Sequence, residues 1–396
     1  NPTNSGGATG ANLWAWIITQ MGFEGTQRGL FSLLFGAGVI LLTSRLEASG
    51  RADAADIYFR RNLWLIGFGL INAFIFLWYG DILYAYGIIA LFVFAFRRMA
   101  AKRLLAIGIG ALLLGALWSA WDTYRLLEKH DAFAAAAVAR DGGATLSPAQ
   151  EQAIAAWEGA RSEFKAAPDR IREATVARTS GYARAFAEIA RINAYWQTWG
   201  LYRYFFDIFG MMLIGMGLFR LGVLTLERPV SLYLAMVGAG YGVGLVVNYA
   251  ETRWILDHQF SAVAFAQTNI SYDLGRLAMT VGHLGALLLF VRSGWLSWLR
   301  RALAAVGQMA VTNYLSHSLI CGFLFIGLGW FNQLERYELY YVVFAIWAVQ
   351  VVLSPIWLKH FRFGPVEWLW RWLTYLERPP LRRRKPAPAG MAVPAM

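Results

Sequence analysis

The chain has 396 residues, 58% of them hydrophobic, 16% aromatic and 15% charged. An ordinary soluble domain is about 45–50% apolar and about 25% charged, so this balance, with a mean hydropathy of +0.44, excludes a soluble globular protein. A lone cysteine, Cys321, excludes an intrachain disulfide and a multi-cysteine metal site, and the net charge of +12 needs its placement along the chain before it can be read.

In chain order, a polar, glycine-rich start, "NPTNSGGATG", leads into "ANLWAWIITQMGF". There Leu13, Trp14, Ile17 and Ile18 fall at helical spacing and predict an interfacial helix. Nine apolar spans follow, near 29–45, 62–79, 82–96, 104–121, 200–219, 230–250, 273–291, 303–330 and 338–358. The expected fold is all-α, a polytopic transmembrane bundle. Its expected parts are a membrane half over 1–121, an insertion over 122–197, a second membrane half over 198–360 and a basic tail over 361–396. Between the second and third spans, "WYGDILYAYG" carries Asp81 in what reads as a tight hairpin at Gly80–Asp81. A solvated turn would explain an arbitrary acid. This turn has almost no polar neighbours, which favours an acid buried at the mouth of a polar cavity and paired with an arginine.

The arginines and lysines sort onto one side of this arrangement. Arg45, Arg51, Arg60, Arg61, Arg97, Arg98, Lys102, Arg103, Arg220, Arg228, Arg292, Arg300 and Arg301 fall in alternate connections, and the tail adds more, ending in "RRRK". The short connections of the other side hold Arg253 and Arg336. The positive-inside rule makes the basic side cytoplasmic; the surplus charge is then a topology signal, with an anionic-lipid contact at the tail, and nucleic acid is not needed. The same alternation starts this chain outside and leads to the expectation of one further preceding span, about ten in the whole protein. The 122–197 insertion falls outside. Ser147, Pro148 and Gln150 predict a capped helix start there, and Pro168 opens a second helical stretch running toward Tyr195, together a helical hairpin.

Charged side chains within spans cost roughly 2.5–3.5 kcal/mol each on insertion scales, so each needs a partner or a cavity. Arg203 and Asp207 are four apart and Asp273 and Arg276 three apart, so each couple has a self-neutralising reading beside a functional one. His283, two turns beyond Arg276, reads either as a buried neutral imidazole or as a base. "TNYLSHSL" places Asn313, Ser316 and His317 on one helix face, with Tyr314 and Ser318 on the next. Interhelical hydrogen bonding is one account; a polar site with a titratable group is the other. The five histidines lack zinc-motif spacing, so no metal is expected. Close-spaced glycines in "FGAGV" and "GAGYGVG" read as helix packing, and no nucleotide loop or nucleophile elbow is present.

At "FEGTQRGLFSLLFGAGVILL", "WYGDILYAYGIIAL" and "AVTNYLSHSLI…SPIWLKHFRFGPVEWLWRWLTY" the chain resembles the YeiB-like family of bacterial inner-membrane proteins, which carries a domain of unknown function. Asn72 stands where many YeiB-like sequences have histidine. The family is itself distantly similar to transmembrane acyltransferases of the glucosaminide N-acetyltransferase type. That resemblance implies acyl-CoA as donor and a small-molecule, lipid or glycan acceptor. Asp81, Asn313 and His317, with His283, would orient or deprotonate the acceptor. Arg28 would hold Asp81 or an anionic substrate, with Asn72, Asp207, Arg276 and Tyr314 lining the site. Two alternatives use the same residues less chemically: a transporter of a small anionic metabolite, or a scaffold whose insertion docks a partner, as a homo-oligomer or within a membrane complex.

Overall fold

The structure is a computed structural model that describes residues 2–4 and 7–383. With no water in the bilayer core, each backbone amide must be paired within its own segment, and the apolar runs become helices over most of their length. In order these are α1 (Gly10–Gly22), α2 (Thr26–Ala48), α3 (Ala54–Phe74), α4 (Leu83–Val93), α5 (Ala101–Asp141), α6 (Pro148–Phe164), α7 (Pro168–Thr179), α8 (Tyr182–Gln197), α9 (Leu201–Arg220), α10 (Val230–Asp257), α11 (Ala262–Ser293), α12 (Ser297–Gln308), α13 (Ala310–Cys321), α14 (Arg336–His360) and α15 (Pro365–Tyr375). A π-helical turn, Gly322–Gly327, continues α13. The fold is all-α.

Seven described segments, rather than the nine expected, are long and apolar enough to cross a membrane. The two that drop out are the second and third. α3 carries Asp56, Arg60 and Arg61; the apolar helix Leu83–Phe96 rises only about 21 Å against a hydrocarbon core of about 30 Å. Nor do they meet in a tight hairpin: α3 ends at Phe74, and residues 75–82 form a loop in which the Trp78 amide donates to the Asn72 carbonyl.

α9 sits between α2, α4 and α5. Val39, Tyr86, Ile89, Leu104, Met212, Leu213 and Met216 form the buried cluster where these helices meet. The crossing of α2 and α9 is backbone on backbone: a Cβ at Gly36 would collide with the Met212 carbonyl, and one at Gly215 with the Leu33 carbonyl. Gly240 stands likewise against Gly282 between α10 and α11, whereas Gly38, Gly238 and Gly242 face open space. Only part of each glycine run is therefore packing.

The fourth span does not stop at 121. α5 continues to Asp141 as one helix of 41 residues, about 60 Å long, and its distal half meets α6 where His130 and Phe133 flank Trp157. α6 begins as expected: Ser147 and Gln150 form a capping box, with Pro148 at the first position. The second stretch of the insertion breaks at Gly181, whose φ of +105 separates α7 from α8. α8 returns to the bundle. Ala185 and Ile189 pack on Leu77 and Ile326, the Tyr182 hydroxyl donates to the Ile75 carbonyl at 2.8 Å, and the Asn193 amide donates to the Ala73 carbonyl. The insertion thus seals the 75–82 loop.

The expected continuous span 303–330 is also broken, at Met309 between α12 and α13. The Glu367 carboxylate of α15 accepts from the Val311 amide at 2.7 Å and the Thr312 amide at 3.0 Å. It caps α13 from another helix and stabilises a start inside what reads as one apolar run. Thr312 reciprocates by accepting from the Val366 amide. In the tail, Arg382 and Arg383 return to residues 360–361, while Arg384 and Lys385 lie outside the described residues.

Candidate functional site

The densest polar group in the bundle joins α2, α9 and α11. Arg28 Nε donates to Asp207 Oδ2 at 2.9 Å. Arg276 Nη2 stands 2.7 Å from Asp207 Oδ1, an ion-pair contact without hydrogen-bond alignment, and donates to Asp273 Oδ1 at 2.8 Å. One carboxylate therefore serves two guanidiniums, and the four charges sum to zero. Side-chain exposure is 1% for Arg276, 15% for Asp207 and 29% for Arg28 and Asp273, so the cluster runs from a buried arginine to a partly open rim. Tyr204 lies under the Arg28 guanidinium at 5.1 Å. The Tyr86 hydroxyl donates to the Arg28 carbonyl at 3.2 Å and shares a 2.6 Å bond with Ser32.

Local structure explains how the arginine fits. Gly25, at φ +69 between α1 and α2, packs directly on the Arg276 side chain and the Tyr272 hydroxyl, where any Cβ would collide. Even so, Arg276 Nε and Nη1 have no hydrogen-bond partner among the described residues. Buried donors are nearly always satisfied by protein, water or ligand.

The pairing differs from the sequence expectation in two ways. Arg28 holds Asp207 and not Asp81. Arg203 does not close on Asp207 four residues away; it reaches Asp122 on α5 instead, because helix crossing brings that carboxylate nearer than its own helix does. The Asp273–Arg276 couple forms as spaced.

Asp81 is half-buried and is bound to an arginine in no described ion pair. Its carboxylate accepts from the Asn72 amide at 2.9 Å, the Tyr84 backbone amide at 2.9 Å and the Tyr314 hydroxyl at 3.4 Å. The Tyr84 bond makes it an N-terminal cap for α4. Burial pushes the carboxyl above the usual carboxylate range, against the pull of these donors. Asn72 is fully buried, and its Oδ1 has no partner among the described residues. In Asp81→Asn, an NH2 would face that of Asn72 or the Tyr84 amide, and the expected loss is about 1–3 kcal/mol. Because the folded pKa is raised, the wild-type group stabilises most below the ordinary carboxylate pKa and loses that contribution as pH rises through the folded value. Thermal unfolding in detergent from acidic to neutral pH should show the gap between wild type and variant narrowing upward; equal stability throughout would make the carboxylate structurally idle.

The polar face of α13 is met by α14. The Asn313 amide donates to the Val306 carbonyl at 3.1 Å and Ser354 at 3.2 Å, while Gln350 donates to the Asn313 carbonyl at 2.9 Å and Ser316 at 3.1 Å. His317 Nδ1 lies 3.4 Å from the same Gln350 amide. Interhelical hydrogen bonding accounts for this stripe. His283 is packed edge-on between Phe23 and Tyr241.

Two adjoining cavities, of 420 and 460 Å³, lie at the junction of the 75–79 loop, the insertion and the π-helical turn. The expected polar cavity is not this one: Asn313, His317, Asp207 and His283 line neither wall. The structure therefore joins Arg28, Asp207 and Arg276 in one place, Asp81, Asn72 and Tyr314 in a second, and leaves Asn313 with His317 in a third. Sequence reading missed Glu367 and Gln350. An acid inside the apolar "GPVEWLW" was the available signal for the first; a lone glutamine in an apolar span was the signal for the second.

The family model "Protein of unknown function (DUF418)" matches residues 218–377. The chain is 30% identical over 385 residues to the "Uncharacterized protein YeiB" of Escherichia coli (strain K12), spanning 94% of this chain and 88% of that protein. It is 27% identical over 363 residues to the "Uncharacterized protein YxaH" of Bacillus subtilis (strain 168), spanning 90% and 80%. No solved structure matches the chain. With the helical membrane architecture and an alignment running nearly end to end, the chain belongs to the DUF418 family of YeiB-like multi-pass membrane proteins.

Proposed function

We propose that this membrane protein binds a small anion bearing a carboxylate or phosphate at the Arg28–Asp207–Arg276 cluster and passes it across the bilayer. The observation that carries the reading is Arg276: a guanidinium 1% exposed, with two donors unused among the described residues, inside a helix bundle. Intramembrane ionisable groups of this kind mark substrate and ion pathways. Arg28, at the more open side, would meet the anion first. The anion would then compete with Asp207 and Asp273 for Arg276, and because the four side chains already sum to zero its charge would be balanced by a proton or a cation taken up with it. The basic-residue asymmetry supports placing the insertion outside the cytoplasm of a bacterial inner membrane and the tail inside it.

Acyl transfer from acyl-CoA is the second reading, favoured by Asp81 beside the Tyr314 hydroxyl and the unpaired Asn72 oxygen. It stands behind transport because His317, its expected base, is engaged with Gln350.

The test is ligand-dependent stability of the purified protein in detergent. Inorganic phosphate, acetate and succinate are compared with chloride at equal ionic strength. A bound probe at ten times its Kd adds about 1.4 kcal/mol. Saturable stabilisation by one of them, lost in Arg276→Lys, which keeps the charge and loses the fork, is the expected result. No stabilisation beyond chloride, or stabilisation unchanged in the variant, would remove the site from the proposal.

A further inference from the structure

The two cavities share Phe76, Leu77, Ser318, Gly322 and Ile326, so they are neighbouring lobes on either side of one wall. The wall is unusual backbone. Gly322–Gly327 is π-helical, a form that occurs mostly as single turns, often at functional sites. Chemically the first lobe is aromatic, with Phe76, Trp78, Phe325 and Trp330 among its lining. Its charged lining residues are Arg178 and Arg336, and no lining residue is acidic. Arg178 is held in place by Glu188 at 2.6 and 3.0 Å and lies over the Phe331 ring at 4.6 Å. The second lobe opens beside Leu319 and Phe323, exposed 51% and 63%. Such side chains on a spanning segment face lipid.

We propose that these lobes hold an anionic phospholipid, its acyl chain between the π-helical turn and the 75–79 loop and its phosphate toward Arg178 and Arg336. Three features support that occupant. The mouth lies against lipid-facing side chains, so a chain enters without crossing water. Tryptophan and tyrosine at Trp78, Tyr79 and Trp330 mark the interface level at which headgroups sit. Both charged lining residues are arginines, Arg178 being paired with Glu188 outside the lining, and this basic character favours an anionic over a zwitterionic headgroup. Helix α8 forms part of the enclosure through Ile189, and Thr179, Gly181 and Tyr182 line the second lobe. The insertion would therefore close over the lipid, a role independent of the anion cluster.

The protein carries its own reporter. Cys321, the one cysteine of the chain, lines the first lobe. The wild-type protein is placed in nanodiscs of phosphatidylcholine alone or with phosphatidylglycerol, and maleimide labelling of Cys321 is timed. The expected result is labelling slowed about ten-fold by phosphatidylglycerol. Arg336→Gln should weaken that difference. Gly322→Leu, whose Cβ meets only the Phe76 carbonyl at 3.6 Å, should fill the space and abolish it. Equal wild-type rates in the two lipids would overturn the proposal, as would a phosphatidylglycerol effect that survives Gly322→Leu in a variant that melts like wild type.

Discussion

Asp207→Asn is expected to destabilise the protein by about 3–5 kcal/mol, the usual consequence of stripping the counter-charge from a buried ion pair. The size follows from geometry. Among the described residues Asp207 is the one carboxylate that contacts both guanidiniums, and the Arg276 side chain is 1% exposed. Asp273 keeps one contact with Arg276 but reaches Arg28 in no described ion pair. Thermal or denaturant unfolding in mild detergent reads the loss. A double variant, Asp207→Asn with Arg276→Met, is expected to recover much of it, because the second change removes the uncompensated charge that makes the first expensive. If the single variant melts with wild type, some other group neutralises the arginines and the cluster is not a closed network.

Gly36→Leu should be as damaging for a steric reason, while Gly38→Ala, two residues on, should be nearly silent. A side chain at Gly36 would enter the volume of the Met212 backbone carbonyl, which cannot swing aside as a side chain would. Forcing α2 from α9 also pulls apart the Val39–Met212–Met216 cluster and moves Arg28 relative to Asp207. Even one added methyl is expected to cost about 1–3 kcal/mol by overpacking, and leucine should prevent stable folding. A Cβ at Gly38 has nothing within 4 Å. Yield of monodisperse protein and its melting temperature distinguish the two sites; equal tolerance would mean that α2 and α9 do not cross in contact.

Residue order alone determined the features whose causes lie within a turn or a span. The membrane class follows from composition, since 58% apolar content has no soluble shell to cover it. The start of α6 follows from Ser147, Pro148 and Gln150, which satisfy one another's backbone partners locally. The Asp273–Arg276 pair follows from helical spacing. Beyond one turn, spacing ceased to be a guide. Arg203 had an acid four residues away and took Asp122 from another helix. Arg28 found Asp207 across 179 residues, and Asp81 took amide and hydroxyl donors where an arginine was expected. The break at Met309 follows from Glu367, 56 residues from the amide it caps. These choices belong to the tertiary structure because a buried polar group bonds to whatever the helix crossings bring within about 3 Å. The crossings are set by which glycines touch backbone: Gly36 does and Gly38 does not, though both read alike in "FGAGV".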